Sequence, residues 1–257
     1  MRIFVVKKST IIRAAVFLLL IVGAIIYMQV AVGDAAPAAS MSEMMPICRV
    51  ATDEKAVALT FDTAFGDEDF TPQILEALKK ESVKATFFVM GLWVNEHPEA
   101  LDAMMQGGHE IASHSMNHMR YTDMTADEIL TDASDAAKLI FNKTGYDTRV
   151  IRIPYGAYDT ASITTLENEG YIPVKWSLDS KDWKGYDTVK LADGVLNTVE
   201  NGDIIMFQNN MAQTPEALSA IILGLREQGF KIVTVSDLML DGDYIVDKSG
   251  TQRHFED

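Results

Sequence analysis

An alternation of two kinds of segment constrains this chain more than any other feature. Seven short β-branched or aromatic runs recur: 56-AVALTF-61, 84-KATFFV-89, 109-HEIAS-113, 149-RVIRI-153, 171-YIPVKW-176, 203-DIIMF-207 and 231-KIVTV-235. Helix-like stretches separate them, among them 71-TPQILEALKKE-81, 125-TADEILTDASDAAKLIFNKTG-145 and 214-TPEALSAIILGLREQG-229. Thr71 with Pro72, and Thr214 with Pro215 and Glu216, are start signals, and Gly145 and Gly229 are stop signals. Strand and helix in regular succession require a parallel sheet covered by helices, because neighbouring parallel strands need a crossover between them. No glycine-rich phosphate loop follows any strand, so the expected fold is α/β, a distorted (β/α) barrel of about seven strands, in preference to a dinucleotide-binding sheet. In such barrels chemistry collects at the carboxyl ends of the strands.

The first 33 residues hold Arg2, Lys7, Lys8 and Arg13 and no acid, which leaves 18 bases against 37 acids in the rest. So acidic a chain repels phosphate backbones, and a nucleic-acid partner is not expected. Residues 14–32 carry no charge, and about 20 apolar residues in a helix span a bilayer core. All the flanking bases precede this run, so the positive-inside rule leaves residues 1–13 cytoplasmic and everything after residue 33 outside. The expected organisation is a cytoplasmic segment 1–13, a transmembrane signal anchor 14–32, a linker 33–50 rich in Ala, Ser, Pro and Met, a domain 51–240 and a tail 241–257. The small residues of 33-GDAAPAAS-40 form no clean A-x-A site, so an uncleaved single-pass anchor is expected in preference to secretion after cleavage. Cys48, the single cysteine, excludes both an intrachain disulfide and a cysteine zinc site. Any metal must be held by His and carboxylates.

Several chemistry-bearing residues stand where strands should end. Asp62 closes the first run, at the tip of what reads as a buried strand. His114 and His118 follow the third, in 112-ASHSMNH-118; if one helical turn begins there, the i, i+4 spacing points both imidazoles the same way and lets them share a metal. After the fourth run comes 152-RIPYGAY-158, with Pro154 and Gly156 bracketing a turn, and after the fifth 176-WSLDSKDW-183 places acids and two tryptophans on one rim. His109 begins a strand instead of ending one and is expected to be structural.

Together these residues resemble the polysaccharide deacetylase family, carbohydrate esterases with a NodB-homology domain, over roughly residues 51–240. The family motifs T-F-D-D, H-[ST]-x-x-H, R-x-P-[YF]-G and D-x-x-D-W appear as 60-TFDT-63, 114-HSMNH-118, 152-RIPYG-156 and 179-DSKDW-183, and a late Leu-x-His appears as 206-MFQ-208. The resemblance implies a hydrolase that uses a divalent cation to remove N-acetyl groups from an N-acetylglucosamine polymer, peptidoglycan foremost among cell-wall glycans. Zinc is the first expectation for the cation, with cobalt, nickel or manganese after it. By the same resemblance His114 and His118 are metal ligands, Asp62 is the base, Arg152 is its partner, and Asp182 orients a proton-donating histidine. Tyr155 offers its backbone N–H to the oxyanion, and Trp183, Met206 and Gln208 line the substrate groove. The alternative for Trp183 is a packed core indole.

Two positions depart from the family pattern. Thr63 replaces a second Asp that serves as third metal ligand, and a neutral hydroxyl is a poor ligand for such a cation. Either Asp62 turns from base to ligand, or one of Asp67, Glu68 and Asp69 reaches in, or the cation is bound loosely through water. Gln208 replaces the histidine that protonates the leaving amine, and glutamine cannot titrate. Asp182 is then left either to carry that proton or to pair with Lys181 or Arg152. The alternatives to an active deacetylase are an impaired domain that only binds glycan and an O-acetyl esterase, whose alkoxide leaving group has less need of an acid. For the anchor the expected outcome is that protein isolated from membranes begins at or near Met1. N-terminal sequencing that finds a start between Gly33 and Ser40 would show cleavage instead.

Overall fold

The computed structural model describes residues 21–22, 44–63 and 68–255. The anchor expected over 14–32, apart from Ile21 and Val22, lies outside the described residues, as do residues 33–43 and Asp67. No helix among the described residues is long and apolar enough to cross a membrane.

All seven runs form strands: β2 (Ala56–Asp62), β3 (Thr86–Val89), β4 (Glu110–Ser113), β5 (Val150–Arg152), β6 (Ile172–Val174), β8 (Ile204–Gln208) and β9 (Lys231–Val233). A further strand, β7 (Leu178–Asp179), is too short to leave a periodic signal. The order β6-β5-β4-β3-β2-β8-β7 is parallel throughout, and β9 pairs with the first half of β2. The result is an open half-barrel whose two edges, β6 and β7, are consecutive in the chain. Among residues 44–255 as described, eight α-helices accompany the strands: α1 (Thr71–Lys80), α2 (Gly91–Glu96), α3 (Pro98–Gln106), α4 (Ala126–Thr144), α5 (Thr160–Asn168), α6 (Thr188–Leu196), α7 (Gln213–Glu227) and α8 (Val235–Leu238).

Strand β2 shows why a carboxylate ends up at the barrel mouth. All seven of its residues are buried, as expected of a parallel strand covered on both faces. Val57, Leu59 and Phe61 pack outward with Ile74 and Leu78 of α1 and Leu218, Ile221 and Ile222 of α7. Phe61 stacks on Phe87 at 5.1 Å and on Phe207 at 5.5 Å. The period of two then turns Ala56, Ala58, Thr60 and Asp62 inward, where small side chains leave room beneath the last one.

Helix α4 is framed as its sequence predicts, by a Thr125–Glu128 capping box and by Gly145 at φ 74°. Thr71 and Thr214 are different. The residues before α1 and α7 are Phe70 and Ala212, neither giving a side-chain cap, and both threonines lie inside the first turn. Their hydroxyls serve the strand ends instead: Thr71 accepts from the Asn209 amide at 3.1 Å, and Thr214 donates to Asp182 at 2.8 Å.

Residues 44–50, expected as the end of a linker, lie along the open seam of the barrel. The Ile47 N–H donates to the Pro173 carbonyl at 2.9 Å, and its own carbonyl accepts from Lys175 N–H at 2.8 Å. The Val50 N–H donates to the Gly202 carbonyl at 3.0 Å. A Cβ on Gly202, which sits at φ +77°, would stand 1.7 Å from the Val50 carbonyl oxygen, so only glycine fits there. Strand β1 (Arg49–Val50) also pairs with β11 (Thr251–His254), which pairs with β10 (Tyr244–Val246). The folded unit therefore runs past both boundaries expected at residues 50 and 240.

Arg49 fastens this segment to the barrel through Asp203, whose side chain is 1% exposed and also accepts from Ser177 Oγ and the Glu200 N–H. Arg49→Ala leaves that buried carboxylate without a cation. Because the guanidinium is itself a third exposed, the expected loss in urea unfolding is about 2–3 kcal/mol, below the usual cost of breaking a fully buried pair.

Candidate active site

Arg152, at the end of β5, is fully buried and its guanidinium is shared among three acceptors. Nη1 donates to Asp62 Oδ1 at 2.6 Å and to Thr60 Oγ1 at 2.8 Å, and Nη2 donates to the Lys175 carbonyl at 2.8 Å. The guanidinium also lies 3.8 Å from the Phe88 ring centroid. Asp62 Oδ1 is thus committed to the ion pair, and Oδ2 faces the two histidines.

His114 and His118 come together, though on a different backbone from the expected helical turn. The segment after β4 is a loop in which Ser115 (φ 68°) and His118 (φ 55°) adopt left-handed conformations. Asp132 of α4 holds this loop, accepting from the Met116 N–H at 2.9 Å, the Asn117 N–H at 3.2 Å, the Asn117 amide at 3.0 Å and Tyr121 OH at 3.0 Å. Sequence reasoning passed over Asp132. Its signal was an acid set within the buried stripe Ile129, Ala133, Ala136 and Ile140.

His114 Nδ1 donates to the Arg152 carbonyl at 2.8 Å, which leaves Nε2 with its lone pair directed at the site. That nitrogen stands 3.1 Å from His118 Nε2 and 3.9 Å from Asp62 Oδ2. Burial lowers the pKa of both imidazoles, that of His118 to about 4, against the pull of Asp62, so both are neutral at neutral pH. Two nitrogens on one tetrahedral zinc, each about 2.0–2.1 Å from it, lie about 3.3–3.4 Å apart, and the observed pair fits that separation closely.

The third donor is not assembled. Among the described residues no group of three or more His, Cys, Asp or Glu side chains stands in metal-ligating geometry. Thr63 is buried, and its hydroxyl accepts from the Met90 N–H at 3.0 Å. Asp69 is engaged by the Thr71 N–H at 2.8 Å and the Asn209 amide at 3.1 Å, and Glu68 is exposed.

Tyr155 sits at φ 60° in the turn after β5, with its ring 4.5 Å from the His118 ring and 56% exposed. Trp183 is 50% exposed, which rules out the packed-indole alternative. Gln208 lies directly beside Asp62 in the β2–β8 register, and Met206, 4% exposed, lies one pleat below it beside Thr60. His109 is structural as expected, its Nδ1 accepting from the Ala85 N–H at 3.2 Å.

Asp182 corrects a sequence expectation. It pairs with neither Lys181 nor Arg152 and is fully buried, accepting from the Gln208 N–H at 2.8 Å, Thr214 Oγ1 at 2.8 Å and the Trp183 N–H at 2.9 Å. It anchors the backbone of Gln208, not a side chain. Burial pushes its pKa up to about 6, against the lowering effect of those donors. The folded state therefore binds more protons than the unfolded chain between about pH 4 and 6. This contribution to stability is fully present below the unfolded pKa and is lost as pH rises through about 6. Replacing Asp182 by Asn should remove that component, so the stability difference between wild type and variant should shrink by on the order of 2–3 kcal/mol from pH 4 to 7. Urea unfolding at several pH values measures it, and parallel profiles for the two proteins would contradict it.

A family model described as polysaccharide deacetylase matches residues 49–174. The peptidoglycan-N-acetylglucosamine deacetylase of Bacillus cereus is 34% identical over 195 residues, covering 74% of this chain and 91% of that protein. PgdA of Listeria monocytogenes, a longer peptidoglycan-N-acetylglucosamine deacetylase of which this chain covers 41%, is 32% identical over 197 residues, 77% of this chain. Among solved structures, BA3943, a CE4 family pseudoenzyme from Bacillus anthracis, matches with a TM-score of 0.71 at 30% identity, over 80% of this chain and 70% of that one. With the family's motifs at the ends of its parallel strands and similarity on this scale, the chain belongs to the polysaccharide deacetylase family, hydrolases that act on carbon–nitrogen bonds other than peptide bonds.

Proposed function

We propose that this protein removes N-acetyl groups from peptidoglycan, slowly for its family, outside a membrane to which residues 14–32 anchor it. The anchor rests on the uncharged, span-length run and the bases that precede it. The chemistry rests above all on Asp62, held by Arg152 through one oxygen while the other faces the paired histidines.

In this reading the Asp62 oxygen free of Arg152 takes a proton from the water that attacks the amide carbonyl carbon. Such positioned proton transfer contributes about 10²–10⁴-fold. His114 and His118, neutral and with Nε2 atoms adjacent, would hold a divalent cation, zinc first, which when bound polarises the carbonyl and acidifies the attacking water. The Tyr155 N–H is the donor proposed for the developing oxyanion, a role worth about 3 kcal/mol in a dry site. The exposed Trp183 indole offers a flat apolar face to a sugar ring.

When the carbon–nitrogen bond breaks, the departing amine needs a proton. Gln208 has none to give, and Asp182 is buried with its carboxylate already engaged by three donors. The proton that Asp62 has just accepted is therefore the one returned to nitrogen, so a single carboxylate serves both half-reactions. This account predicts a slow enzyme. A second reading, a domain that binds glycan with little or no turnover, is favoured by the same two departures at Thr63 and Gln208. The O-acetyl esterase reading gains support from Gln208 alone.

Acetate release from peptidoglycan by residues 44–257, with cation supplied, tests the proposal. Replacing both His114 and His118 by Ala should abolish cation binding, read by elemental analysis. Thr63→Asp should raise cation affinity, and Gln208→His, which adds a group of pKa about 6.5, should raise the rate by about tenfold or more. Absence of acetate from wild type and from both gain-of-function variants would leave only the binding reading. A fast wild type slowed by Gln208→His would show that the single-carboxylate route is sufficient and the proposed deficit wrong.

A further inference from the structure

Two cations flank the mouth of this site without a counterion among the described residues. The Arg120 guanidinium lies over the Tyr155 ring at 4.4 Å, and that ring packs in turn against His118 at a tilt of 53°, so Arg120 is one aromatic ring removed from the paired imidazoles. On the neighbouring residue of the same turn, a Cβ on Gly156 would meet Lys175 Cε at 2.7 Å and Trp176 at 2.9 Å. The absence of a side chain at Gly156 is what lets the Lys175 stem lie against the turn. The Lys175 ammonium stands 5.1 Å from the Tyr158 ring centroid and 5.4 Å from that of Trp176. No salt bridge among the described residues engages Arg120 or Lys175.

A guanidinium stacked on a ring keeps its N–H edge in the plane, where the fork matches a carboxylate. Aromatic faces hold both cations in place without neutralising them. The setting makes this pair informative, because the chain carries a formal net charge of −15, which opposes the approach of anionic polymers. Bases with no salt bridge among the described residues oppose that repulsion beside the proposed reacting centre.

We propose that Arg120 and Lys175 read a carboxylate on the substrate, so that the preferred polymer is an acidic amino-sugar glycan with a carboxyl group on or beside the N-acetylated residue, and not neutral chitin. This rests on the reading that the site takes N-acetylated glycan. In peptidoglycan the carboxylate has two sources: the lactyl ether of the muramic residue and the peptide stem attached to it.

Equilibrium binding separates these cases without requiring turnover. Three probes are compared at low and high salt: chitotetraose, a peptidoglycan tetrasaccharide with free lactyl carboxylates, and the same tetrasaccharide bearing its peptide stems. Wild type is expected to prefer a carboxylate-bearing probe, with a preference that weakens in salt. Arg120→Ala and Lys175→Gln should each reduce the ratio of carboxylate-bearing to neutral affinity by about five- to tenfold, while Lys143→Ala, which removes an equal charge elsewhere, leaves the ratio unchanged. Tighter binding of the stem-free or of the stem-bearing probe identifies the source. Equal binding of all three probes by wild type, or an unchanged ratio in both rim variants with native thermal unfolding, overturns this inference alone. Wild type that binds none of the probes overturns the glycan reading beneath it as well.

Discussion

The ion pair between Arg152 and Asp62 is the interaction on which the rest of the site depends. A guanidinium buried to this degree is costly unless its donors are matched, and two of its nitrogens find three acceptors in two parts of the barrel: Thr60 and Asp62 of β2, and the backbone after β6. Its own carbonyl fixes the tautomer of His114. One residue therefore selects which Asp62 oxygen faces the reaction and which His114 nitrogen keeps its lone pair. Removing it would disturb Asp62 and His114 together.

Around that centre the support is unequal. The histidine loop is held by the buried carboxylate of Asp132, and the Asp62 strand by the stacked phenylalanines behind it. Beside β8, Asp182 and Thr214 build a fully satisfied polar network, yet its product is a fixed Gln208 backbone. The scaffold for a titrating side chain is intact while the side chain itself does not titrate. The slow turnover proposed for this protein would follow from that asymmetry, since preorganisation survives where proton supply does not.

Much of the fold was legible because β2 to β6, β8 and β9 draw on β-branched and aromatic runs with turn signals between them. Strand β7 was not legible, since two residues carry no period, and neither was the pairing of β1 with β11, which joins residues about two hundred positions apart. Asp62, Arg152 and the histidines could be found by their place at strand ends. The helical turn assumed for the histidine pair was wrong, because Ser115 and His118 adopt left-handed conformations, which are uncommon for residues other than glycine. Thr71 and Thr214 look like caps in sequence, and only the tertiary neighbours Asn209 and Asp182 show what their hydroxyls serve.

The seam closed by residues 47–50 has a consequence for the order in which the chain folds. Arg49 pairs in register with Thr251 and Val50 with Gln252, and Val50 also rests on Gly202. Contacts between such distant positions pay their loop-closure entropy before they return any stability, so they form late. A ribosome that has released the chain through β9 and α8 has made every strand of the half-barrel, but not β11, which clasps the N-terminal segment. Until β11 emerges, residues 47–50, which lie against the β6 edge, lack the strand that holds Arg49 and Val50 in register.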